Sequence, residues 1–234
     1  MIQCMQKHHL KLDRIRGLAT DYDGTLAERG VVADSTWEAV ERWRGSGRLV
    51  VLVTGREIDA LSTVCPRLDL FDRVVAENGG WLFDPKSGAG RPLAARPPDS
   101  FVEALRAAGV APISVGRVVV ATWEPHRASI EAVIEEARLP LRVVANKRAL
   151  MILPEGVDKA SGLLVALGEL GMAPDVVVGV GDAENDSALL EASGFGVAVA
   201  NALPKLKARA DFITEAERGA GVAELIAAIL GGSH

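Results

Sequence analysis

Short runs of valine, isoleucine and leucine that do not alternate with polar residues recur along the chain, and they constrain its fold more than any other feature. They fall at 15–20, 49–54, 73–76, 176–180, 196–200 and 212–214. Strands of that composition are covered on both faces. Between them lie amphipathic stretches at 35–45, 57–68, 159–170 and 186–192. This alternation predicts helices crossing between parallel strands, a Rossmann-like doubly wound α/β sheet. Asp34 or Ser35, just before Trp37, supplies a helix start, and Gly45, Gly171 and Gly194 supply stops. Trp37, Trp43 and Trp81 fall within apolar patterns and are expected in the core. A chain of 234 residues can bury about 70% of its unfolded surface, as one large domain or as one domain carrying an insertion.

The composition changes near Asp84, where Pro85, Gly88, Gly90, Pro92, Pro97 and Pro98 crowd together as at a domain edge. Beyond it the pattern predicts a helix over 99–108, strands over 113–115 and 118–123 about a two-residue turn at Gly116-Arg117, a second helix over 126–138, and strands over 141–145 and 149–153 flanking Asn146-Lys147-Arg148. The expected organisation is a core of residues 1–83 and 154–234 interrupted by a smaller α+β cap, residues 84–153. The order αββαββ implies an antiparallel cap sheet with helices on one face.

Charge and length narrow the partners. A net charge of −5, from 26 basic and 31 acidic residues spread along the chain, offers no basic field for nucleic acid. No apolar run approaches the roughly 20 residues that span a bilayer. Cys4 and Cys65 make neither a disulfide framework nor a metal cluster. Residues 1–12 mix Gln3, Gln6, Lys7, His8, His9 and Lys11 with apolar residues, unlike a signal peptide. His8-His9 reads as a solvated terminus, and Gly231-Gly232-Ser233-His234 as a frayed end. These features are consistent with a cytoplasmic protein, monomer or homodimer.

In open α/β sheets the reactive groups gather beyond the carboxyl ends of the strands. Three such ends are informative here. Asp21-Tyr22-Asp23-Gly24-Thr25-Leu26 follows the first apolar run, Thr54-Gly55-Arg56 the second, and Gly181-Asp182-Ala183-Glu184-Asn185-Asp186 the run at 176–180. Asp21, Asp23, Asp182 and Asp186 together make an acidic cluster that needs a cation, and an all-oxygen site with few protein ligands suits Mg²⁺. Gly24, Gly55 and Gly181 allow backbone amides to approach an anion, and Thr54 can donate to it. Lys159, opening a helix after Asp158, supplies a fixed positive charge. The combination describes a phosphoryl site.

In these four segments, taken in order, the chain resembles the haloacid dehalogenase-like superfamily of phosphohydrolases. The motifs are Asp21-Tyr22-Asp23-Gly24-Thr25-Leu26, Thr54 in Leu52-Val53-Thr54-Gly55-Arg56, Lys159 in Gly156-Val157-Asp158-Lys159, and Gly181-Asp182 followed by Asn185-Asp186. Glu77-Asn78-Gly79 and the place of the insertion are similar to the subfamily with a late α/β cap, whose members include phosphoglycolate and sucrose-phosphate phosphatases. The resemblance implies that Asp21 attacks phosphorus and that Asp23 is acid and base. It implies Mg²⁺ on the Asp21 carboxylate, the Asp23 carbonyl and Asp182, with Asp186 close by, and Thr54 and Lys159 on the phosphoryl group. Asp at 23 separates the chain from the ion-pump branch, which carries Thr there.

The resulting expectation is a Mg²⁺-dependent phosphatase of a small phosphorylated metabolite, of sugar phosphate or phosphoglycolate type. Phosphotransfer to another acceptor, as in a mutase, uses the same core motifs, and a phosphate-sensing module would have lost Asp21 or Asp23. No Gly-x-Gly-x-x-Gly follows the first strand, which removes a dinucleotide-binding oxidoreductase. Gly55, Arg56 and Asn78 are the further substrate-binding candidates. Arg56 lines the phosphate pocket or pairs with Glu57 or Asp59, and Asn78 touches substrate or orders its turn. On the cap, Trp123, His126, Lys147 and Arg148 lie near hairpin ends, within reach of a leaving group or simply at the surface; His126 also sits where a helix N-cap belongs.

Overall fold

The computed structural model describes residues 14–231. Cys4, the His8-His9 pair and residues 232–234 lie outside the described residues. The chain begins with β1 (Gly17–Thr20), α1 (Asp34–Gly45), β2 (Leu49–Val53), α2 (Ile58–Val64) and β3 (Arg73–Ala76), followed by β4 (Trp81–Asp84) and β5 (Ala89–Pro92). A second group comprises α3 (Asp99–Ala107), β6 (Ser114–Val115), β7 (Val120–Trp123), α4 (Arg127–Ala137), β8 (Leu141–Asn146) and β9 (Ala149–Pro154). The chain then returns with α5 (Lys159–Glu169), β10 (Val177–Gly181), α6 (Ser187–Ala192), β11 (Phe195–Ala198), α7 (Pro204–Lys207), β12 (Phe212–Ile213) and α8 (Arg218–Gly231).

The large sheet runs β12-β11-β10-β1-β2-β3-β4-β5. Its first six strands are parallel and β4 and β5 append an antiparallel hairpin. The unalternating apolar runs follow from helices on both faces. Leu18, Val50, Leu52 and Val74 point to a core shared with Trp37, Val40 and Trp43 of α1 and Val222, Leu225 and Ile226 of α8. Their neighbours Ala19, Val51, Val53 and Val75 point the other way, to Leu163, Ala166 and Leu167 of α5 and Leu189 of α6. Trp43 is fully buried and its indole N–H donates to the Leu49 carbonyl at 2.9 Å; burying an apolar side chain of that class contributes about 1.5–3 kcal/mol.

The second sheet is antiparallel, in the order β6-β7-β9-β8. Phe101 and Leu105 of α3 and Ile130 and Val133 of α4 pack on Val120, Leu150 and Ile152. By strand alternation Ala121, Trp123, Ala149 and Met151 occupy the opposite face, and Met151 and Leu153 pack there with Val118 and Val157.

Several boundaries differ from expectation for identifiable reasons. Ala89–Pro92, expected in the insertion, pairs with β4, so the large sheet extends past residue 84. The β6–β7 connection has four residues, because Val115 pairs with Val120 and Gly116 N–H donates to the Val119 carbonyl; the amides of Val118 and Val119 are taken by Glu77 instead of a ladder. Helix α2 stops at Val64 and does not reach Leu68, since Cys65 precedes Pro66 and that position disfavours the helical region. Position 33, an alanine, caps α1. Among the described residues, no helix is long and apolar enough to cross a membrane.

One turn ties the two ends of the interruption together. Glu77, Asn78 and Gly79 all have positive φ, at 52°, 54° and 106°, and a Cβ on Gly79 would lie 1.9 Å from the Asp158 carbonyl oxygen. Only glycine lets the backbone that leads into α5 rest there. Gly79→Ala is therefore expected to lower unfolding stability by about 2 kcal/mol or more, read by urea denaturation. A variant as stable as the parent would show that α5 can shift without cost.

Candidate active site

The parallel strands bring the predicted residues to one sheet end. Asp21 directly follows β1, and its amide donates to the Val180 carbonyl of β10 at 3.0 Å, so the β1 and β10 tips stand side by side. The crossovers from these neighbouring strands leave in opposite directions, which opens a crevice there. Asp182 follows β10, and Asp186 lies in the short 3₁₀ turn leading to α6. One carboxylate oxygen from each of Asp21, Asp182 and Asp186 lies within 4.8 Å of the others, and all three side chains are buried.

Lys159 is the counter-charge. It is the first residue of α5, positioned by Asp158, which accepts from the Ser161 amide while Ser161 Oγ accepts from the Asp158 amide. Its ammonium is 0% exposed and donates to Asp21 Oδ1 and Asp186 Oδ1, each at 2.5 Å. Asp186 Oδ2 accepts from the amides of Asp182 and Ala183, both at 2.9 Å. Asp186 thus holds Lys159 and shapes the loop carrying Asp182.

Three buried carboxylates against one buried ammonium leave an excess of negative charge. Burial pushes the Asp21 carboxyl up to about 7; Lys159 pulls it back, while the charges of Asp186 and Asp182 add to the rise. Burial also raises Asp182, against the opposing pull of Lys147. Burial alone would lower Lys159, but Asp186 and Asp21 more than reverse this and hold it above its usual range.

Asp23 faces elsewhere. Its carboxylate is partly exposed and forms a two-point pair with Arg56, Nε to Oδ2 at 2.6 Å and Nη2 to Oδ1 at 2.8 Å. Arg56 is therefore neither a partner of Glu57 nor of Asp59; it orients Asp23 and stacks over Tyr22 at 5.8 Å. Thr54 Oγ1 accepts from the Arg56 amide at 3.1 Å, leaving its hydroxyl proton to point elsewhere. Gly55 lies under the second sheet, where a Cβ would come 3.4 Å from Met151 Sδ. Asn78 is buried, and its Oδ1 accepts from Asn185 Nδ2 at 3.0 Å, while Asn78 Nδ2 and Asn185 Oδ1 are buried without a partner.

Two contacts were not assigned from sequence. Asn185 stands in its motif without a role of its own, yet it sits buried beside Asn78 and Gly55. Lys147, one of four cap candidates, is the one whose side chain reaches the acids: Nζ donates to Asp182 Oδ2 at 2.9 Å. His126 does not cap α4 with its side chain, and its Nε2 lies 2.9 Å from the Ala111 carbonyl. Trp123 is exposed. Trp37 and Trp43 are core residues, while Trp81 is half-buried beneath the Arg117 guanidinium at 4.7 Å.

The donor set fits a hard divalent cation. All three side chains offer oxygen, Asp182 Oδ1 is a buried carboxylate oxygen with no hydrogen-bond partner, and Gly24, at φ 89°, leaves just the space that Asp182 fills, a Cβ there falling 2.4 Å from Oδ2. Such a set, incomplete without water or substrate oxygens, suits a divalent metal ion.

Comparison with known proteins decides the family. Residues 18–100 and 119–226 match the haloacid dehalogenase-like hydrolase family. The chain belongs to this family. Among relatives, a phosphoglycolate phosphatase of Methanothermobacter thermautotrophicus is 31% identical over 225 residues, covering 93% of this chain and 100% of that one. Phosphoglycolate phosphatase 2 of Saccharolobus solfataricus is 31% identical over 221 residues, covering 92% and 93%. A haloacid dehalogenase-like hydrolase from Bacteroides thetaiotaomicron shares the fold with a TM-score of 0.78 at 21% identity, covering 92% of this chain and 99% of that one. A subclass IIB sugar phosphatase of the same superfamily shares it at 0.76 and 20% identity, covering 93% and 99%.

Proposed function

We propose that this hydrolase is a Mg²⁺-dependent phosphoric monoester hydrolase acting on a small phosphorylated metabolite, of which phosphoglycolate is the first choice, through an aspartyl-phosphate. The observation that carries the reading is the Asp21 carboxylate at the β1 tip, buried and fixed by Lys159 beside Asp182 and Asp186, with Asp23 two residues on. The relatives of matching length are phosphoglycolate phosphatases. A sugar phosphate is the second choice, because a solved sugar phosphatase shares the fold.

In the first step Asp21 Oδ forms a bond to phosphorus as the bond to the leaving oxygen breaks, and Asp23 gives that oxygen its proton. In the second, Asp23 takes a proton from water, the water oxygen bonds to phosphorus, and Asp21 is released with inorganic phosphate. Arg56 holds Asp23 until it turns toward the leaving oxygen. Lys159 offsets the charge of the phosphoryl oxygens, and the Thr54 hydroxyl donates to one of them. Asp21, Asp182 and the Asp23 carbonyl would hold Mg²⁺, with Asp186 beside them, and the ion would neutralise phosphoryl charge and align it for attack. The four-stranded unit acts as the cap. Its closure over the large sheet keeps bulk water from the acyl phosphate and excludes macromolecular substrates.

Phosphate release across phosphoglycolate, sugar phosphates and an aryl phosphate, with and without Mg²⁺, tests the reading. Metal-dependent release from phosphoglycolate at the highest kcat/KM is expected; no release from any of them by folded, Mg²⁺-loaded protein would reject it.

The cluster also predicts a pH-dependent response to metal. With its pKa raised from 3.8 to about 7, Asp21 binds more protons folded than unfolded in that interval. In chelator-treated protein its contribution to stability therefore falls as pH rises from about 4 to about 7. Mg²⁺ removes the repulsion that appears there. The Mg²⁺-induced rise in Tm is expected to be several degrees at pH 7.5 and smaller at pH 5, by calorimetry; an equal rise at both would exclude the coupling.

A further inference from the structure

A cation from the tip of a cap hairpin, Lys147, reaches the acids of this site. Strands β8 and β9 pair in register to Asn146 and Ala149, leaving Lys147-Arg148 as a two-residue turn. Lys147 adopts φ 56° there, a conformation uncommon for a long side chain. The turn is pinned to the core loop, since the Lys147 amide donates to Glu184 Oε2 at 3.1 Å. From that anchor the side chain runs to Asp182, itself within 4.8 Å of Asp21.

Two other cations near this wall are engaged elsewhere. Ala121, Ala149 and Met151 are small or apolar. Arg142 on β8 is taken by Asp158 Oδ2 at 3.0 Å and the Val157 carbonyl at 2.7 Å. Arg117, from the β6–β7 connection, pairs with Asp59. Lys147 stays half-exposed, at 51% of its side chain, against 2% for Asp182, so it approaches the buried acids from the solvent side.

A divalent ion on Asp182 satisfies that carboxylate without Lys147. With that charge neutralised, the ammonium on Asp182 Oδ2 is free to turn to an anion bound beside the cluster. We propose that Lys147 is the residue with which this chain recognises a negatively charged leaving group, binding the carboxylate of a short phosphorylated hydroxy acid. The proposal rests on the phosphatase reading and deepens it. An ammonium–carboxylate contact in a partly closed site distinguishes a charged leaving group from a neutral one of equal length.

The test compares 2-phosphoglycolate with 2-hydroxyethyl phosphate, which replaces the carboxylate by an alcohol, on Mg²⁺-saturated wild type, Lys147→Met, Lys147→Arg and Arg148→Met. In Lys147→Met, kcat/KM for phosphoglycolate is expected to fall about 100-fold, mainly through KM, while hydroxyethyl phosphate changes less than about threefold. Lys147→Arg should recover much of the preference. Mg²⁺ titration calorimetry without substrate supplies a second readout: Lys147→Met should bind the ion at least as tightly as wild type, because a competitor for Asp182 is gone. Equal loss on both substrates, weaker Mg²⁺ binding, or loss of the preference in Arg148→Met instead would overturn the assignment. Wild type that hydrolyses phosphomonoesters without preferring the carboxylate rejects Lys147 recognition alone. Wild type inert toward both substrates and an aryl phosphate rejects the phosphatase reading and this proposal with it.

Discussion

Asp21→Asn is expected to lower kcat/KM for every phosphomonoester on the order of 10⁴-fold or more, with no preference for one substrate over another. An amide oxygen carries no charge and cannot form the phosphoryl ester, while the side chain keeps its size and can still accept from Lys159. The loss should therefore appear in a correctly folded protein. Two measurements separate chemistry from damage. Acid quenching during turnover of labelled substrate should trap protein-bound phosphate in wild type and none in the variant. The variant should also still bind Mg²⁺ through Asp182, more weakly, since one of the three negative charges of the cluster is gone. Activity within tenfold of wild type would move the nucleophile elsewhere, and water attacking directly would be the simplest replacement.

Such a claim was open to sequence reasoning because the parallel strands are buried on both faces. Residues such as Leu18 and Ala19 serve opposite cores, so each run had to be apolar throughout, and its end marked where backbone polarity and chemistry resume. Asp21, Thr54 and Asp182 each follow a strand directly, and chain order alone placed them at one sheet end. Side-chain direction was less legible. Asp21 and Asp23 share a motif, yet Asp21 points into the acids and Asp23 pairs with Arg56, because the chain turns sharply between Asp21 and Gly24, whose φ is 89°.

The least legible part lies between the two units. Glu77 accepts from the amides of Arg117, Val118 and Val119 at 3.1, 2.7 and 2.9 Å, and Lys147 crosses to Asp182. Both depend on how one sheet sits over the other, and neither belongs to a periodic pattern. The exposed, proline-rich stretch after residue 84 hid β5 for a related reason: an edge strand needs no apolar face when one side meets solvent. Ala89–Pro92 is exposed throughout.

The second large effect is expected from Lys159→Met, which keeps the length of the side chain and removes its charge. Asp21 and Asp186 would then share a buried space with no cation, and breaking a buried pair in this way costs about 3–5 kcal/mol. The sign of its pH dependence follows from the carboxylates. Without Lys159 the folded Asp21 carboxyl, already raised by burial, rises further, so the variant loses stability relative to wild type as pH increases, and its deficit should be greater at pH 8 than at pH 5. Urea denaturation of chelated protein at both values would show it; a deficit independent of pH would mean that packing of the lysine stem dominates. Mg²⁺ should restore part of the stability by supplying positive charge to the same acids. It should not restore turnover if the proposed role of Lys159 holds, because the phosphoryl oxygen that the ammonium would contact is left without its partner. The double variant Lys159→Met/Asp186→Asn divides the two roles of Lys159 in the same way: removing one buried negative charge should recover stability beyond additivity, while kcat stays at the level of the single variant. Recovery of both would make Lys159 a structural counter-ion alone and leave phosphoryl charge to the metal.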